Sequence, residues 1–242
     1  IIDTVFRIDD GGKGIEEAMD KICAGAEDAV KGGKVILILS DRRVNREMAP
    51  IPALMACSGV HHHLISCGLR TRCSIVVDSG EPREVQHFAA LFGYGADAVN
   101  PYLALETMFT LKAQGVLNVD MKTARKNFIK AVNKGVLKVM SKMGISTLQS
   151  YRGAQQFEAV GLDEKLVEKY FSGTASRVGG SDINAIALEV KARHDKAWLT
   201  PGMPGSLSLD VGGIYQWRRD GERHLLHPLA IAKLQEATRL GR

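Results

Sequence analysis

Three consecutive histidines, His61, His62 and His63, are the most conspicuous candidates for chemistry in this sequence. They lie in a segment with helical spacing, where consecutive side chains point about 100° apart and cannot converge on one ion. His63 and Cys67 are four residues apart and can share a helix face, but zinc needs four ligands, or three and a water molecule. The spacing does not bring Cys73 or His87 to them. We therefore expect no metal site, and histidines hydrogen-bonded at a helix–sheet or domain boundary.

A second candidate is a set of polar residues that follow short apolar runs. If these runs are parallel strands, their carboxyl ends meet at one edge of a sheet, where α/β proteins usually place their chemistry. Carboxylates and guanidinium groups at one edge can pair with each other or position a small anion. We expect internal pairing, in a structural or interdomain role, with anion binding as the alternative. The residues are Ser40, Asp41, Arg42, Ser79, Glu81, Arg83, Asn100, Tyr151 and Arg152.

The third candidate is the glycine-rich stretch 173–180, which we interpret as a loop before a helix capped by Ser181 or Asp182. Such loops can bind phosphate at a helix N-terminus. This one lacks the lysine of a P-loop and the GxGxxG spacing, and the chain has no GxSxG, HExxH or CxxC motif. The residues therefore indicate no catalytic, cofactor-binding or metal-binding site. A free-standing domain that binds a small ligand, FMN or phosphate is the alternative interpretation.

The elements that would position these residues alternate between helix-like segments and short apolar runs, separated by glycines and polar turns. This alternation is typical of βα units with a parallel sheet. The predicted strands are 1–6, 35–39, 73–77, 96–99, 145–148 and 157–161. The predicted helices are 15–30, 50–67, 83–92, 103–113, 121–132, 136–143, 164–170, 182–197 and 228–240, and a hairpin is predicted over 215–226 with its turn at Asp220–Gly221.

These signals define the expected fold class. Some five strands are too few for a closed eight-stranded barrel, which takes about 250 residues with a helix after every strand. We expect an α/β fold: an incomplete or open (β/α) barrel-like arrangement with mostly parallel strands and an irregular C-terminal quarter. The chain is predicted to be a single α/β domain, 1–242, with 200–242 as an irregular C-terminal appendage within it.

Composition limits the possible partners. The 242 residues are 45% hydrophobic and 24% charged, with a net charge of +5, as in an ordinary globular chain. No Lys/Arg block is dense enough to indicate nucleic-acid binding. No apolar run has the length of a membrane span or the form of a signal peptide. Four cysteines without a CxxC pair favour reduced thiols and a cytoplasmic location.

Several long ordered strings resemble the large subunit of glutamate synthase, and specifically its central domain. The match covers nearly the whole chain, up to about residue 230, and such long ordered strings are more specific than any short motif. The small departures include Asp78, Pro82 and Arg152, at positions where no catalytic role is implied. The strings are Leu39–Arg42, Ala49–Leu54, Val60–Ile65, Gly68–Thr71, Gly93–Ala96, Ala98–Ala104, Val139–Tyr151, Gln156–Leu162 and Phe171–Arg177.

The resemblance implies a parent enzyme that makes glutamate from glutamine and 2-oxoglutarate, an oxidoreductase acting on CH–NH2 donors. A glutaminase domain releases ammonia, which passes through a tunnel to an FMN-binding synthase barrel. An iron–sulfur cluster relays electrons from NADPH, NADH or ferredoxin. The central domain is expected to link the two catalytic domains and to contribute to the ammonia path. Its implied partners are those two domains and an electron-donor subunit or ferredoxin, without nucleic acid or membrane.

The resemblance transfers no catalytic residue to this chain. The family's N-terminal catalytic cysteine has no match, and the resemblance implies that Ile1 lies within the central domain. None of Cys23, Cys57, Cys67 or Cys73 lies in the family's cluster-binding motif, and the flavin and 2-oxoglutarate residues belong to the synthase barrel. We therefore expect no cofactor in this chain and no turnover by it alone.

Overall fold

The computed structural model describes residues 1–198, 211–214 and 216–241. The chain divides into two compact units, Ile1–Trp198 and Leu199–Arg242. The first unit contains all the strands that are described and the first eight helices. The second contains the last helix, and residues 200–210 of the predicted irregular appendage lie outside the described residues.

Strands and helices alternate through the first half of unit one and become less regular afterwards. The strands are β1 (Ile2–Asp3), β2 (Val5–Arg7), β3 (Ile36–Ser40), β4 (Met48–Pro50), β5 (Ser74–Asp78), β6 (Ala98–Asn100), β7 (Glu158–Leu162) and β8 (Ala175–Ser181). The helices are α1 (Gly11–Lys31), α2 (Ala53–Ser66), α3 (Val85–Gly93), α4 (Tyr102–Ala113), α5 (Met121–Met143), α6 (Leu148–Tyr151), α7 (Glu164–Tyr170), α8 (Ile183–Ala197) and α9 (Pro228–Leu240). Short 3₁₀ turns occupy Ile8–Asp10 and Arg70–Arg72.

A four-stranded parallel sheet organises unit one. Its strand order is β1-β3-β5-β6, so the strands of this sheet lie side by side in the order in which they occur along the chain. The register places Ser40 opposite Asp78, and Asp78 opposite Asn100, which brings three strand ends to one edge. The α/β class and the mostly parallel strands are confirmed. The likeness to part of a barrel stays a prediction, because the sheet is open within the described residues.

The main core lies between this sheet and the helices α1 and α2. Ile15 and Met19 of α1 pack with Val60 and Leu64 of α2 and with Ile75 of β5, all fully buried. Burial of each such side chain contributes roughly 1.5–3 kcal/mol of transfer free energy. Helix α2 is buried on most of its faces, which explains why its sequence is almost continuously apolar or small. This burial fixes the position of α2 against the sheet.

Two predicted helix boundaries were wrong. The helix predicted over 50–67 begins at Ala53, because Met48–Pro50 pairs with Val5–Arg7 as a two-stranded antiparallel sheet. The helices predicted over 121–132 and 136–143 are one helix, α5, which continues through Gly135. A side chain at Gly135 would collide with Val85 of α3, so this glycine permits close packing and does not end the helix.

The region after α5 differs most from prediction. The strand predicted over 145–148 is wrong, because Thr147 caps the short helix α6 and Ile145 packs into a second core formed by Phe88, Val136 and Tyr151. The glycine-rich loop predicted over 173–180 is also wrong from residue 175 onwards, because residues 175–180 belong to strand β8, which pairs with β7 in parallel. The hairpin predicted over 215–226 is not formed: residues 216–226 contain no strand, and Tyr215 lies outside the described residues.

None of the helices described in the structure is both long and apolar enough to cross a membrane.

Candidate functional site

Asp78 is the centre of the network at the carboxyl edge of the sheet. It is buried at the end of β5, and one of its oxygens accepts hydrogen bonds from Ser40 Oγ (2.9 Å) and Arg42 Nε (2.7 Å). The other oxygen accepts from Asn100 Nδ2 (2.8 Å) and Arg42 Nη2 (3.2 Å). Burial raises the pKa of Asp78, but the hydrogen bonds outweigh this effect and the net pKa is lowered. Asp78 is thus held as a carboxylate.

Asp41 is the second centre at this edge, next to the first. Its carboxylate accepts hydrogen bonds from Ser79 Oγ (2.6 Å), the Gly80 amide (3.1 Å) and the Tyr102 hydroxyl (2.7 Å). The Arg42 guanidinium lies 4.1 Å from the centre of the Tyr102 ring, a cation–π contact that joins the two centres. Burial and the neighbouring Asp41 carboxylate raise the pKa of the Tyr102 hydroxyl, which keeps it a donor.

Glu81 belongs to the same loop but serves a helix. Its carboxylate accepts a hydrogen bond from the Ala53 amide at the start of α2 (2.7 Å). Burial raises the pKa of Glu81 above its ordinary value, although this hydrogen bond opposes the shift. Arg83 has an exposed side chain, and its backbone amide donates to His87. These residues therefore position helix starts.

The carboxyl-edge network is closed. Within residues 1–198, no buried side-chain oxygen of Ser40, Asp41, Asp78 or Ser79 lacks a partner. Displacing these internal bonds to receive an anion would expose Asp41 and Asp78 to it, and two carboxylates repel an anion. The arrangement thus fits a structural belt and gives no support to anion binding.

Tyr151 and Arg152 do not lie at this edge, so their predicted place there is wrong. They end the short helix α6, which packs on α3, and the Tyr151 hydroxyl donates to the Ala89 carbonyl (3.0 Å). Because α3 leads into the amino end of β6, Arg152 reaches the opposite edge of the sheet. There its Nη2 lies 2.6 Å from Asp97, the residue before β6.

Asp97 is the centre of this amino-edge network. Its Oδ2 accepts from Arg70 Nη2 (2.9 Å) and from the Ile75 amide (2.8 Å), while its Oδ1 pairs with Arg152. Arg70 Nε donates to His61 Nδ1 (2.9 Å). Burial and the adjacent Arg70 lower the pKa of His61 to about 3, so this histidine is neutral at ordinary pH.

The three histidines point in different directions. His61 faces Arg70 and also contacts Gly95, whose φ of +116° and lack of a side chain admit the imidazole ring. His62 Nδ1 lies 2.9 Å from the Ser58 carbonyl, within α2. His63 Nε2 lies 2.8 Å from Glu27 Oε2 of α1. The structure therefore distributes the triplet among three environments.

A pocket of about 290 Å³ adjoins the amino edge and is lined by His61, Tyr94, Tyr151 and Phe157, among others. Two buried polar atoms in the described residues lack a partner, Arg152 Nε and the Tyr170 hydroxyl. The stretch 173–180 contributes only Gly173 and Thr174 to this pocket and forms no phosphate loop.

The sequence interpretation missed several residues of these networks. Asp78 directly follows the predicted strand 73–77, and this position was a usable signal for the carboxyl edge. Tyr102 likewise follows the predicted strand 96–99 and its polar turn Asn100-Pro101, which was a similar signal. Arg70 and Asp97 carry no such signal, because they meet only when β5 and β6 pair.

Comparisons with known proteins agree on one family. The glutamate synthase central domain family matches residues 1–163. "Glutamate synthase [NADPH] large chain" of Bacillus subtilis is 48% identical over 238 residues, covering 98% of this chain and 15% of the relative. "Glutamate synthase [NADH]" of Schizosaccharomyces pombe is 47% identical over 240 residues, with 98% and 11% covered. "Ferredoxin-dependent glutamate synthase 2" of Synechocystis is 40% identical over 250 residues, with 98% and 16% covered.

The chain thus spans between 11% and 16% of the length of these relatives. The family match covers more than half of the chain, and the relatives align with nearly all of it. The chain belongs to the glutamate synthase central domain family.

Proposed function

We propose that this chain is a connecting domain without chemistry of its own. In the longer protein it would hold a glutaminase domain and an FMN-binding synthase barrel in position and contribute to the path of ammonia between them. The observation that carries the proposal is the carboxyl edge, where hydrogen bonds from within the chain occupy the buried carboxylates of Asp41 and Asp78. We also propose that 1–242 acts as one domain, with 200–242 as its appendage.

The proposal extends to the whole protein through the family. That protein would make glutamate from glutamine and 2-oxoglutarate, with FMN and an iron–sulfur cluster held outside this chain. The relatives' names include NADPH, NADH and ferredoxin, and the proposed role of this domain is the same for all three electron donors.

A groove between α4 and α5 supplies a surface for contact with a neighbouring domain. Its volume is about 730 Å³, and the exposed apolar side chains Phe109, Ile129 and Leu137 line it. Exposed apolar groups that lie together commonly mark an interface. This groove lies on the same unit as the carboxyl-edge network but shares no residue with it.

The charge of α5 favours a partner surface rich in carboxylates. Seven basic residues and no acidic residue occur in this helix, and six lysines recur at every fourth position. Like charges four residues apart destabilise a helix by roughly 0.2–0.5 kcal/mol a pair. None of the seven pairs with a carboxylate in the described part of the chain. The basic residues are Lys122, Arg125, Lys126, Lys130, Lys134, Lys138 and Lys142.

The test uses the full-length protein with Ile129→Asp and Leu137→Asp together. If the groove contacts a catalytic domain, these carboxylates should weaken the contact while the glutaminase reaction continues. We expect less glutamate formed per glutamine hydrolysed and more ammonia released to solution. Leu188→Asp, at an exposed position of α8, is the matched control and should leave this ratio unchanged.

Two results would overturn the proposal. One is glutamate formation by the 242-residue chain alone, supplied with glutamine, 2-oxoglutarate and reduced flavin. The other is an unchanged ratio of glutamate to ammonia in the double variant, with its melting temperature also unchanged.

A further inference from the structure

Three potential metal ligands meet between α1 and α2. Glu27 lies in the last part of α1, His63 in the last turn of α2, and Cys67 is the C-cap residue of α2. Their ligand atoms all lie within 4.8 Å of one another. None of the three belongs to either edge network, and the family resemblance assigns no role to them.

The distances between these atoms fit a small tetrahedral coordination sphere. His63 Nε2 lies 2.8 Å from Glu27 Oε2, Cys67 Sγ lies 3.4 Å from the same oxygen, and Cys67 Sγ lies 3.7 Å from His63 Nε2. Zinc bonds of about 2.0–2.3 Å at tetrahedral angles place ligand atoms roughly 3.3–3.6 Å apart. Shifts of about half an ångström would therefore admit the ion.

The surroundings of Glu27 orient one of its oxygens towards this position. Lys31, one turn further along α1, pairs with Oε1 at 2.5 Å, so Oε2 faces His63 and Cys67. Hydrogen bonds from Lys31, His63 and Cys67 lower the pKa of Glu27 to about 2. An outer partner that fixes a ligating carboxylate is a usual feature of metal sites.

Access also favours Cys67 as the thiolate. Its side chain is exposed, whereas the nearby Cys23 is partly buried and burial raises the pKa of Cys23 to about 11. A metal ion can reach Cys67 from solvent, and water can complete the coordination.

We propose that Glu27, His63 and Cys67 bind a Zn²⁺ ion, with water as the fourth ligand, and that the ion joins α1 to the end of α2. One thiolate, one imidazole and one carboxylate suit zinc and do not suit Mg²⁺ or Ca²⁺, which prefer oxygen ligands. The inference replaces our expectation of no metal site, which paired His63 with Cys67 but lacked Glu27, 36 residues away from His63. The proposed connecting role does not require a metal ion, so a zinc site that joins two helices is a separate property of the chain. The ion would add no reaction.

The first test is a titration of the 242-residue chain with Co²⁺ as a spectroscopic substitute for Zn²⁺. A tetrahedral site with one thiolate gives strong visible bands and a sulfur-to-metal charge-transfer band, and added Zn²⁺ should remove both. Cys67→Ser should abolish the charge-transfer band. Cys23→Ser is the matched control and should keep it.

The second test measures Zn²⁺ affinity by calorimetry. His63→Gln and Glu27→Gln should each weaken binding by more than the roughly 10–100-fold that loss of an outer partner costs. His62→Gln is the matched control, because His62 bonds to its own helix at Ser58. Circular dichroism of each variant establishes that it is folded.

The proposal is overturned if Co²⁺ shows only weak octahedral bands, or if Cys67→Ser keeps the charge-transfer band. It is also overturned if folded His63→Gln and Glu27→Gln bind Zn²⁺ as tightly as His62→Gln. If the charge-transfer band is lost in Cys23→Ser and kept in Cys67→Ser, the thiolate ligand is Cys23 and the proposed site is overturned.

Discussion

The two edges of the four-stranded sheet carry opposite charge balances. At the carboxyl edge, Arg42 pairs with Asp78, whereas the neighbouring Asp41 accepts hydrogen bonds from neutral donors only. At the amino edge, two arginines share one carboxylate, Asp97, and the adjacent His61 is neutral. One edge therefore holds excess anion and the other holds excess cation.

The edges also differ in their access to water. The side chain of Arg42 is 48% exposed, whereas those of Arg70 and Arg152 are 11% and 14% exposed. A half-exposed arginine that loses its partner can turn to solvent, but a buried one cannot. At the carboxyl edge, where α/β enzymes place their chemistry, water can thus replace the partner of the arginine. At the amino edge, the buried arginines need their ion pairs for the stability of the fold.

The largest effect is expected from Asp97→Asn. This change leaves Arg70 and Arg152 largely buried without an anion, and breaking a buried ion pair on one side costs about 3 kcal/mol or more. We expect the free energy of unfolding, measured by urea titration, to fall by about 3 kcal/mol.

Asp20→Asn is the control for that measurement. Asp20 pairs with Lys169 at 3.5 Å on the surface, and an exposed pair contributes at most about 1 kcal/mol. Equal losses for the two variants would contradict the contrast between a buried amino edge and ordinary surface pairs.

A pH titration should separate the two edges, with an effect of intermediate size. The pKa of His61 is lowered from 6.5 to about 3 in the folded protein, so the unfolded chain takes up a proton first as pH falls. Stability from neutral His61 is full above pH 6.5 and is lost as pH falls from 6.5 towards 3. We expect a loss of about 2 kcal/mol between about pH 6.5 and 4.5, since a full unit of pKa shift is worth about 1.4 kcal/mol.

His61→Asn tests the assignment, because asparagine keeps an acceptor for Arg70 but does not titrate. The urea midpoints of this variant should vary less with pH in that window. The lowered pKa of the partly buried His87 acts in the same direction, so His87→Asn is measured beside it. Asp78 at the carboxyl edge should respond only at lower pH, because its pKa lies below the ordinary 3.8. An unchanged pH dependence in His61→Asn would contradict the prediction.

The carboxyl edge shows how much of the molecule the sequence could predict. The apolar runs before Ser40, Asp78 and Asn100 have the length and the following polar turn of parallel strands, so the edge could be placed from local pattern. Its internal pairing also followed from chemistry, since carboxylates and a guanidinium group lie at one strand end. Each strand and the polar residue that follows it could be predicted because both depend on residues that are adjacent in the chain.

The amino edge could not be predicted in the same way. The sequence pattern predicts a strand over 145–148 and so places Arg152 at the wrong edge, although Thr147 is a good helix cap. Arg70 and Asp97 meet only through the pairing of β5 with β6, which local periodicity does not contain. The glycines at 179 and 180 suggested a loop, but pairing with β7 outweighs their weak strand preference.

The smallest effect is expected from Asp78→Asn, the counterpart of the change at Asp97. Asparagine keeps one acceptor oxygen for Ser40 or Asn100, and Arg42 can move its guanidinium group into solvent while keeping its contact with Tyr102. The loss is then one charge-assisted interaction and an imperfect set of neutral hydrogen bonds, about 1.5 kcal/mol in the urea titration. A loss as large as that of Asp97→Asn would mean that Arg42 cannot use its exposure, and that both edges support the sheet equally. A smaller loss at Asp78 is the result expected when one half-exposed arginine loses its partner, in place of the two buried arginines that Asp97 serves.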